Sequence, residues 1–474
     1  MREFKDKEEL ALSESVTVRA VGVTGQVAEA GPVLSLAEDD AAHVLRDALA
    51  DNDMWVRTVV EFPELRLSAA GEARLELEVD APGPDEAQVV LEVDGNGFFH
   101  WHWAAEQGAS IRAGVSTQRF DIPVAPPVEA VRDEVRVRGV IGRLIRKALH
   151  VIRFPIEKAA AAAALGLATW WENKHRRHRL YTLNPDGTMA RDVGPAWFAQ
   201  PELGRCLVLV HGTFSTGDAS FAGLRADAGF RALHEKYQGR VLVFDHPTMH
   251  LSPRENARWL GKQLPGNRVT LDLVTHSRGG LVAREAGRVL PAGTVNRLVQ
   301  VASPNAGTAL CSPKRMGSLL DVTTNLAGFL PESPVSAVLE ATLAMVKHVA
   351  FGGFRGLPGL TAMDPDGATL TILNKAAAPA FPAHAIITDY EPPASATLAA
   401  KALDVTVDAV FGAANDLVVP TASMSRAGTF VVRQPFHARP DTGERPVAHS
   451  SYFGTSCVRA EIARCLALPT GALG

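Results

Sequence analysis

The sequence predicts an α/β protein in which residues 196–474 form a doubly wound, mostly parallel sheet, preceded by a small antiparallel β domain. Three observations predict it. From Gly204 onward apolar strands alternate with amphipathic helices, the order that builds parallel sheets. The strand runs there, such as LVLV at 207–210 and LVQVA at 298–302, are continuously apolar, as in strands covered on both faces. Between residues 73 and 124, by contrast, apolar and charged positions alternate with period two.

With 474 residues the chain exceeds one ordinary domain and divides into three regions. These are an N-terminal region with a β-sandwich-like domain (1–130), a basic, Ala-rich helical connector (131–195) and the α/β domain (196–474). A hydrophobic share of 46% and a charged share of 21% suit a soluble protein with a sizeable core. The net charge of −4 gives no general attraction to nucleic acid. Charge is unevenly placed, with 22 acids against 8 bases in residues 1–94 and 11 bases against 2 acids in 136–179. The start MREFKDKEEL has no apolar core of a secretory signal, and no run of 18 apolar residues exists. Cys206, Cys311, Cys457 and Cys465 show neither metal-binding nor disulfide spacing. A cytoplasmic protein, with a peripheral membrane location as the variant, is the expectation.

In order, SVTVRAVGVTGQV (15–27) reads as a strand piece and EDDAAHVLRDALAD (38–51) as a helix. ARLELEV (73–79), QVVLEV (88–93), GFFHWHW (97–103) and RFDIPV (119–124) read as strands, and DGNG (94–97) as a hairpin turn. His100 and His102 share a strand face, but two histidines without a third ligand read as surface or packing residues, so no metal is expected. APPVEA (125–130) marks the exit from the β domain, and RLIRKALHVIRF (143–154) is read as helical. The uncharged stretch Ala159–Trp171 reads as a packing helix with basic ends. Peripheral contact with an anionic membrane or a protein partner through residues 136–179 is the alternative.

In the C-terminal part, strands are expected at 206–212, 241–247, 269–276, 297–304, 383–390 and 429–436. Helices are expected at 223–237, 254–264 and 277–290, and DAVFGAANDLVVP (408–420) as a strand end and loop. Residues 307–375 interrupt the rhythm with apolar helical stretches, and their length and position suggest a cap.

The chemistry centres on LDLVTHSRGGLV (271–282), a strand, a tight turn with Ser277 at its apex, and a helix. Such a nucleophile elbow lifts the serine hydroxyl clear of the sheet and leaves the Arg278 N–H at the positive end of a helix dipole. Tightness demands small residues two before and two after the serine. Gly279 meets this, Thr275 less well. Serine needs a base, and the base needs an acid to fix its tautomer. Asp416, in the pinned loop AANDLVVP, is the acid expected, with Asp389 the competitor. His449, in the loop before the last helix, is the base, with His437 the competitor. The second oxyanion donor is expected from Thr213 N–H, or else Phe214 N–H, where Gly212 lets the backbone turn toward the serine. His211 reads as a brace for that loop.

LVLVHGTFS, VTHSRGGLVAR, VASPNAGT, GLTAMDPDGATLTILN, NDLVVPTAS and VAHSSYF together resemble the α/β-hydrolase superfamily over residues 204–460. Within it they are most similar to bacterial lipases and esterases with an HG-x oxyanion loop. Thr275 stands where that pattern has glycine, and Arg278 where it has Met, Gln or Leu. The resemblance implies an α/β-hydrolase fold with a helical cap. It also implies a serine hydrolase that cleaves a small-molecule ester or lipid with an apolar acyl group and uses no cofactor. The alternative is a partner- or membrane-binding protein that uses this fold as a scaffold or regulated effector.

Overall fold

The computed structural model describes the chain except residues 33–39, 69–72, 96, 106–108, 113–114, 125–144, 157–165, 201–203, 265, 267–268, 313, 330–334, 353–356, 393–395, 397, 441–444 and 474. The N-terminal strands are β1 (Arg2–Phe4), β2 (Glu9–Ala11), β3 (Val16–Val21), β4 (Val23–Ala30), β5 (Trp55–Leu67) and β6 (Arg74–Asp80). They continue with β7 (Glu86–Asp94), β8 (Phe99–His102), β9 (Ala109–Arg112), β10 (Val115–Pro123) and β11 (Ile145–Pro155). They form two antiparallel sheets, ordered β1-β4-β5-β11-β7-β8 and β2-β3-β6-β10-β9. The two enclose one core. Leu75, Leu77 and Val79 of β6 meet Phe62 of β5 and Leu149 and Val151 of β11 there.

β11 corrects the sequence expectation: the described part of RLIRKALHVIRF, from Ile145 onward, lies in the sheet, between β5 and β7, and is no helix. Its middle, Leu149–Ile152, is buried on both faces, which removes the period-two signature of a half-buried strand. Leu149 and Val151 face the sandwich core, whereas Ile152 and Phe154 join a second core on the outer side. Two of the basic residues that suggested solvated helix ends are matched inside the sandwich, one within the sheet and one across to the other sheet. Lys147 pairs with Glu92 of β7, and Arg153 with Asp80 of β6 at 2.8 Å. APPVEA and most of the Ala-rich stretch lie outside the described residues. The described helix of that region is Gly166–His175. No helix among the described residues is long and apolar enough to cross a membrane.

The second unit is built on β12 (Arg179–Leu183), β13 (Met189–Asp192), β14 (Arg205–Val210), β15 (Val241–Asp245), β16 (Thr270–His276), β17 (Val295–Val301) and β18 (Ala383–Ile387). A separate hairpin, β19 (Arg426–Ala427) and β20 (Phe430–Val431), precedes β21 (Phe436–His437). The main sheet has the order β13-β12-β15-β14-β16-β17-β18-β21. β12 pairs antiparallel with β13 and β15, and all pairs from β15 to β21 are parallel. Cores cover both faces, one containing Leu207, Leu209 and Val274, the other Cys206, Val208 and Leu273. The α/β class and the mostly parallel sheet are as the sequence predicts.

Four details differ. β12 and β13, which the sequence reading left in the connector, belong to the main sheet around the Asn184–Gly187 turn. The stretch Leu398–Phe411 is a helix, so the loop of Asp416 follows a helix and not a strand end. TFVVRQPF is broken into two short strands in different sheets. The helix expected at 223–237 is likewise split, into Ala222–Arg225 and Phe230–Lys236. Isolated apolar runs carry no information on pairing partners, and these runs take their shape from what covers them.

Between β17 and β18 the chain inserts the helices Met316–Phe329, Val335–Gly352, Pro358–Thr361 and Ala368–Lys375. The first two pack against β7, β8 and the helix Asp40–Asp51, so sandwich and insertion share one continuous apolar core. Trp101, Phe154, Leu320 and Val346 are all buried in it.

Candidate active site

β14 is where strand order reverses: β15 and β12 lie to one side, β16 and β17 to the other. In open α/β sheets such a switch point leaves a crevice at the carboxyl ends of the strands. Thr213 and Ser277 both emerge there, since Val210 and Thr275 are register partners. Beyond His276 the chain bends sharply, and Ser277 takes a φ of 51°, a left-handed conformation strained for a residue with a Cβ. A bond from Ser277 N–H to Val301 O at 2.9 Å locks the bend. Close approach explains the adjoining glycines. A Cβ on Gly279 would lie 2.2 Å from Val210 O, and one on Gly212 would lie 2.7 Å from Ser277 Cβ. Thr275 is tolerated because it lies in regular β16, with its side chain buried.

The structure brings Ser277, His449 and Asp416 together. His449 Nε2 lies 2.9 Å from Ser277 Oγ, and His449 Nδ1 2.8 Å from Asp416 Oδ2. With Nδ1–H donating to the carboxylate, Nε2 is free to accept the serine proton. Asp416 is fully buried, and its loop supplies further donors: Val418 N–H at 3.1 Å and Val419 N–H at 2.8 Å bond to Oδ1. Tyr452 O–H donates to Oδ2 at 3.2 Å, and burial beside Asp416 raises its pKa well above the ordinary value, which keeps it a donor.

The competing residues lie elsewhere. Asp389 Oδ1 accepts from Asn415 N–H at 3.0 Å and so braces the Asp416 loop from below. His437 is exposed at the end of β21.

Around Ser277 the N–H groups of Thr213 and Arg278 have no acceptor among the described residues, whereas Phe214 N–H donates to Thr248 Oγ1 at 3.3 Å. His211 braces this turn. Its Nδ1–H donates to Gly212 O at 2.8 Å, its Nε2 accepts from His246 N–H at 3.1 Å, and its ring stacks on that of His246 at 4.2 Å. The Arg278 side chain turns away from the serine. It is fully buried and binds Gly359 O at 3.0 Å and Leu251 O. Burial lowers its pKa to about 10, which leaves it charged at neutral pH. Thus the residue in the unusual position ties the start of the elbow helix to the loop at Leu251 and to the short helix Pro358–Thr361.

Sequence reasoning missed His276, although it directly precedes the serine. Its Nε2–H donates to His449 O at 2.8 Å, and His449 N–H donates to Asp416 O at 3.0 Å, so the backbone of His449 is gripped from both sides. Burial, with His449 alongside, lowers the pKa of His276 to about 3.

His211 and His246 are also fully buried with lowered pKa values. All three imidazoles therefore stay neutral when folded at pH values where the unfolded chain is protonated. Stability should be complete above the ordinary histidine pKa of about 6.5 and fall below it, by up to about 1.4 kcal/mol per pH unit for each imidazole. The melting temperature is expected to be clearly lower at pH 5.5 than at pH 7.5. Equal values would contradict this.

A cavity of about 490 Å³ opens on Ser277. Leu319, Leu326, Val338 and Met363 of the helical insertion and Val418 and Val419 of the Asp416 loop form an apolar part of its wall.

Among solved structures, lipase 1 from Pelosinus fermentans is similar, with 12% identity and a TM-score of 0.37 over 53% of this chain and 94% of that one. The Vlm2 thioesterase domain has 14% identity and a TM-score of 0.30, over 62% of this chain and 99% of that one. A putative aryl esterase from Burkholderia cenocepacia has 14% identity and a TM-score of 0.26, over 48% and 86%. At these values the likeness is too remote to bear on chemistry. No curated protein matches the chain. Residues 176–467 do match the model of the family described as "Domain of unknown function (DUF7379)", and the chain belongs to that family.

Proposed function

We propose that the protein is a serine hydrolase that cleaves carboxylic esters with an apolar acyl group. The observation that carries this reading is the hydrogen-bonded line Ser277–His449–Asp416 lining a largely apolar cavity, beside two amides with no acceptor among the described residues. Ser277 Oγ attacks the ester carbonyl as its proton passes to His449 Nε2. Asp416 keeps His449 in the tautomer that can accept it and stabilises the imidazolium that forms. The carbonyl oxygen, now an oxyanion, receives the N–H groups of Thr213 and Arg278 in a water-poor cleft. His449 returns the proton to the departing alkoxide, and the alcohol leaves an acyl group on Ser277. Water, deprotonated by the same imidazole, adds to the acyl carbonyl, and the acid leaves as the bond to Ser277 Oγ breaks and His449 returns the proton to that oxygen.

The helices of residues 307–375 serve as the cap. The volume of the cavity is in the range of small-ligand pockets, which are mostly apolar with a few placed polar groups. An acyl chain fits the wall formed by Leu319, Leu326, Val338 and Met363 better than a charged group, because a charge set against those side chains would be desolvated without compensation.

A fluorophosphonate probe should form an adduct on the peptide containing Ser277, and p-nitrophenyl esters should be turned over faster as the acyl chain lengthens from acetate. Labelling at another residue, or no turnover across the series to palmitate, would defeat the proposal.

A further inference from the structure

The helix Met316–Phe329 has two working faces. Leu319, Thr323 and Leu326 look into the cavity above Ser277. Asp321, Thr324 and Asn325 look the other way, toward β8, the edge strand of the N-terminal sandwich. An edge strand leaves backbone donors and acceptors unpaired. Here side chains one helical turn apart take the place of a further strand. Phe99 N–H donates to Asn325 Oδ1 at 2.9 Å, and Asn325 Nδ2–H donates back to Phe99 O at 2.8 Å. Trp101 N–H donates to Asp321 Oδ1 at 2.8 Å, and Trp101 Nε1–H to Thr324 Oγ1 at 2.9 Å. His100 Nδ1 lies 3.3 Å from Asp321 Oδ2. β8 is itself anchored to its sheet, since His102 Nε2 lies 2.9 Å from Glu92 and Glu92 pairs with Lys147 of β11.

We infer that the N-terminal sandwich is a specificity-determining part of the site: through β8 it fixes the height of the helix that roofs the acyl pocket. Asp321, Thr324 and Asn325 are positioning residues, acting on substrate only through Leu319, Thr323 and Leu326 on the opposite face. The inference rests on the ester-hydrolase reading above and deepens it. It also gives residues 1–155 a role in catalysis, although none of the residues proposed for the chemistry lies there. Five contacts along three residues of one strand, all made to a single helix, go beyond what is needed to cover an edge. A roof held this way keeps one depth, so the sandwich, and not the α/β unit alone, sets which acyl lengths fit.

The test compares the full-length wild type with Asp321→Ala, Asn325→Ala, Asp321→Asn and Trp101→Phe on p-nitrophenyl acetate and p-nitrophenyl decanoate. In the two alanine variants the decanoate-to-acetate ratio of kcat/KM should fall by about 10-fold, the scale on which apolar pockets discriminate, and through KM more than kcat. Asp321→Asn keeps an acceptor for Trp101 N–H and should restore the ratio to within about twofold of wild type. If an alanine variant fails to fold, Trp101→Phe, which keeps the backbone bond to Asp321 but loses the indole bond to Thr324 and part of the buried ring, should lower the ratio in the same direction. Folded variants with the wild-type ratio would overturn the inference while leaving the hydrolase reading intact. A wild type that reacts with neither ester nor fluorophosphonate would overturn both.

Discussion

Asp416→Asn is expected to lower kcat on any ester substrate by about 10⁴-fold, while Ser277→Ala leaves only the rate owed to binding and the oxyanion donors. The size of the first effect comes from the tautomer. Asp416 Oδ2 accepts from His449 Nδ1–H, so Nε2 presents a lone pair to Ser277. An asparagine amide in the same place can donate to Nδ1 and so favours the proton on Nε2, where it blocks the base. Backbone donors from Val418 and Val419 would hold the substituted side chain in position, so the loss is chemical and not a collapse of the loop. Asp389→Asn supplies the contrast. Asp389 bonds Asn415 N–H and not His449, and an amide oxygen can still accept that bond, so kcat should change by less than about 10-fold. Steady-state kinetics with p-nitrophenyl butyrate checks both. A larger loss in Asp389→Asn than in Asp416→Asn would reverse the assignment of the acid.

Glu172→Ala is expected to destabilise the protein by about 3–5 kcal/mol, the cost of leaving buried partners of a removed charge unsatisfied. Glu172 sits on the helix Gly166–His175 and has no solvent exposure. Its carboxylate collects the backbone N–H of Thr248, of Met249 at 2.9 Å and of His250 at 2.8 Å, and also His250 Nδ1 at 2.6 Å. Burial alone would raise its pKa, but the His250 side chain and these backbone donors outweigh it and hold the carboxyl below its ordinary value. Removing the side chain orphans several donors in a loop that has no other acceptor placed for them. That loop also receives Phe214 N–H at Thr248 Oγ1 and Arg278 Nη2–H at Leu251 O, so the disturbance should reach both segments proposed to supply the oxyanion donors. Urea unfolding should show a lowered midpoint with an unchanged slope. A loss below about 1 kcal/mol would mean that water or a local shift replaces the carboxylate.

The sequence by itself determined the features set over short range. A strand, a serine and two glycines within twelve residues mark the bend at Ser277, although the contacts that demand Gly279 and Gly212 come from packing, since a Cβ on Gly279 would meet Val210 O and one on Gly212 would meet Ser277 Cβ. The chain order Ser277, Asp416, His449 was readable for the same reason, each residue sitting in a loop marked by its own flanking pattern. Tertiary structure alone decided what each polar side chain meets. Glu172 opens the charged flank of a stretch that reads as a packing helix, and nothing near it in sequence points to the loop of residues 248–250, which it satisfies. Asp321 and Asn325 look like the solvated face of an apolar helix until β8, more than two hundred residues earlier, brings its edge against them. β11 gave a helical pattern because burial of its middle on both faces erases the alternation that marks a strand, and Lys147 and Arg153 find their acids only on β7 and on β6 of the facing sheet. Periodicity and turn chemistry are written in neighbours along the chain. Partner choice is written in packing, where desolvation forces each buried charge or amide to find whichever group the fold carries to it.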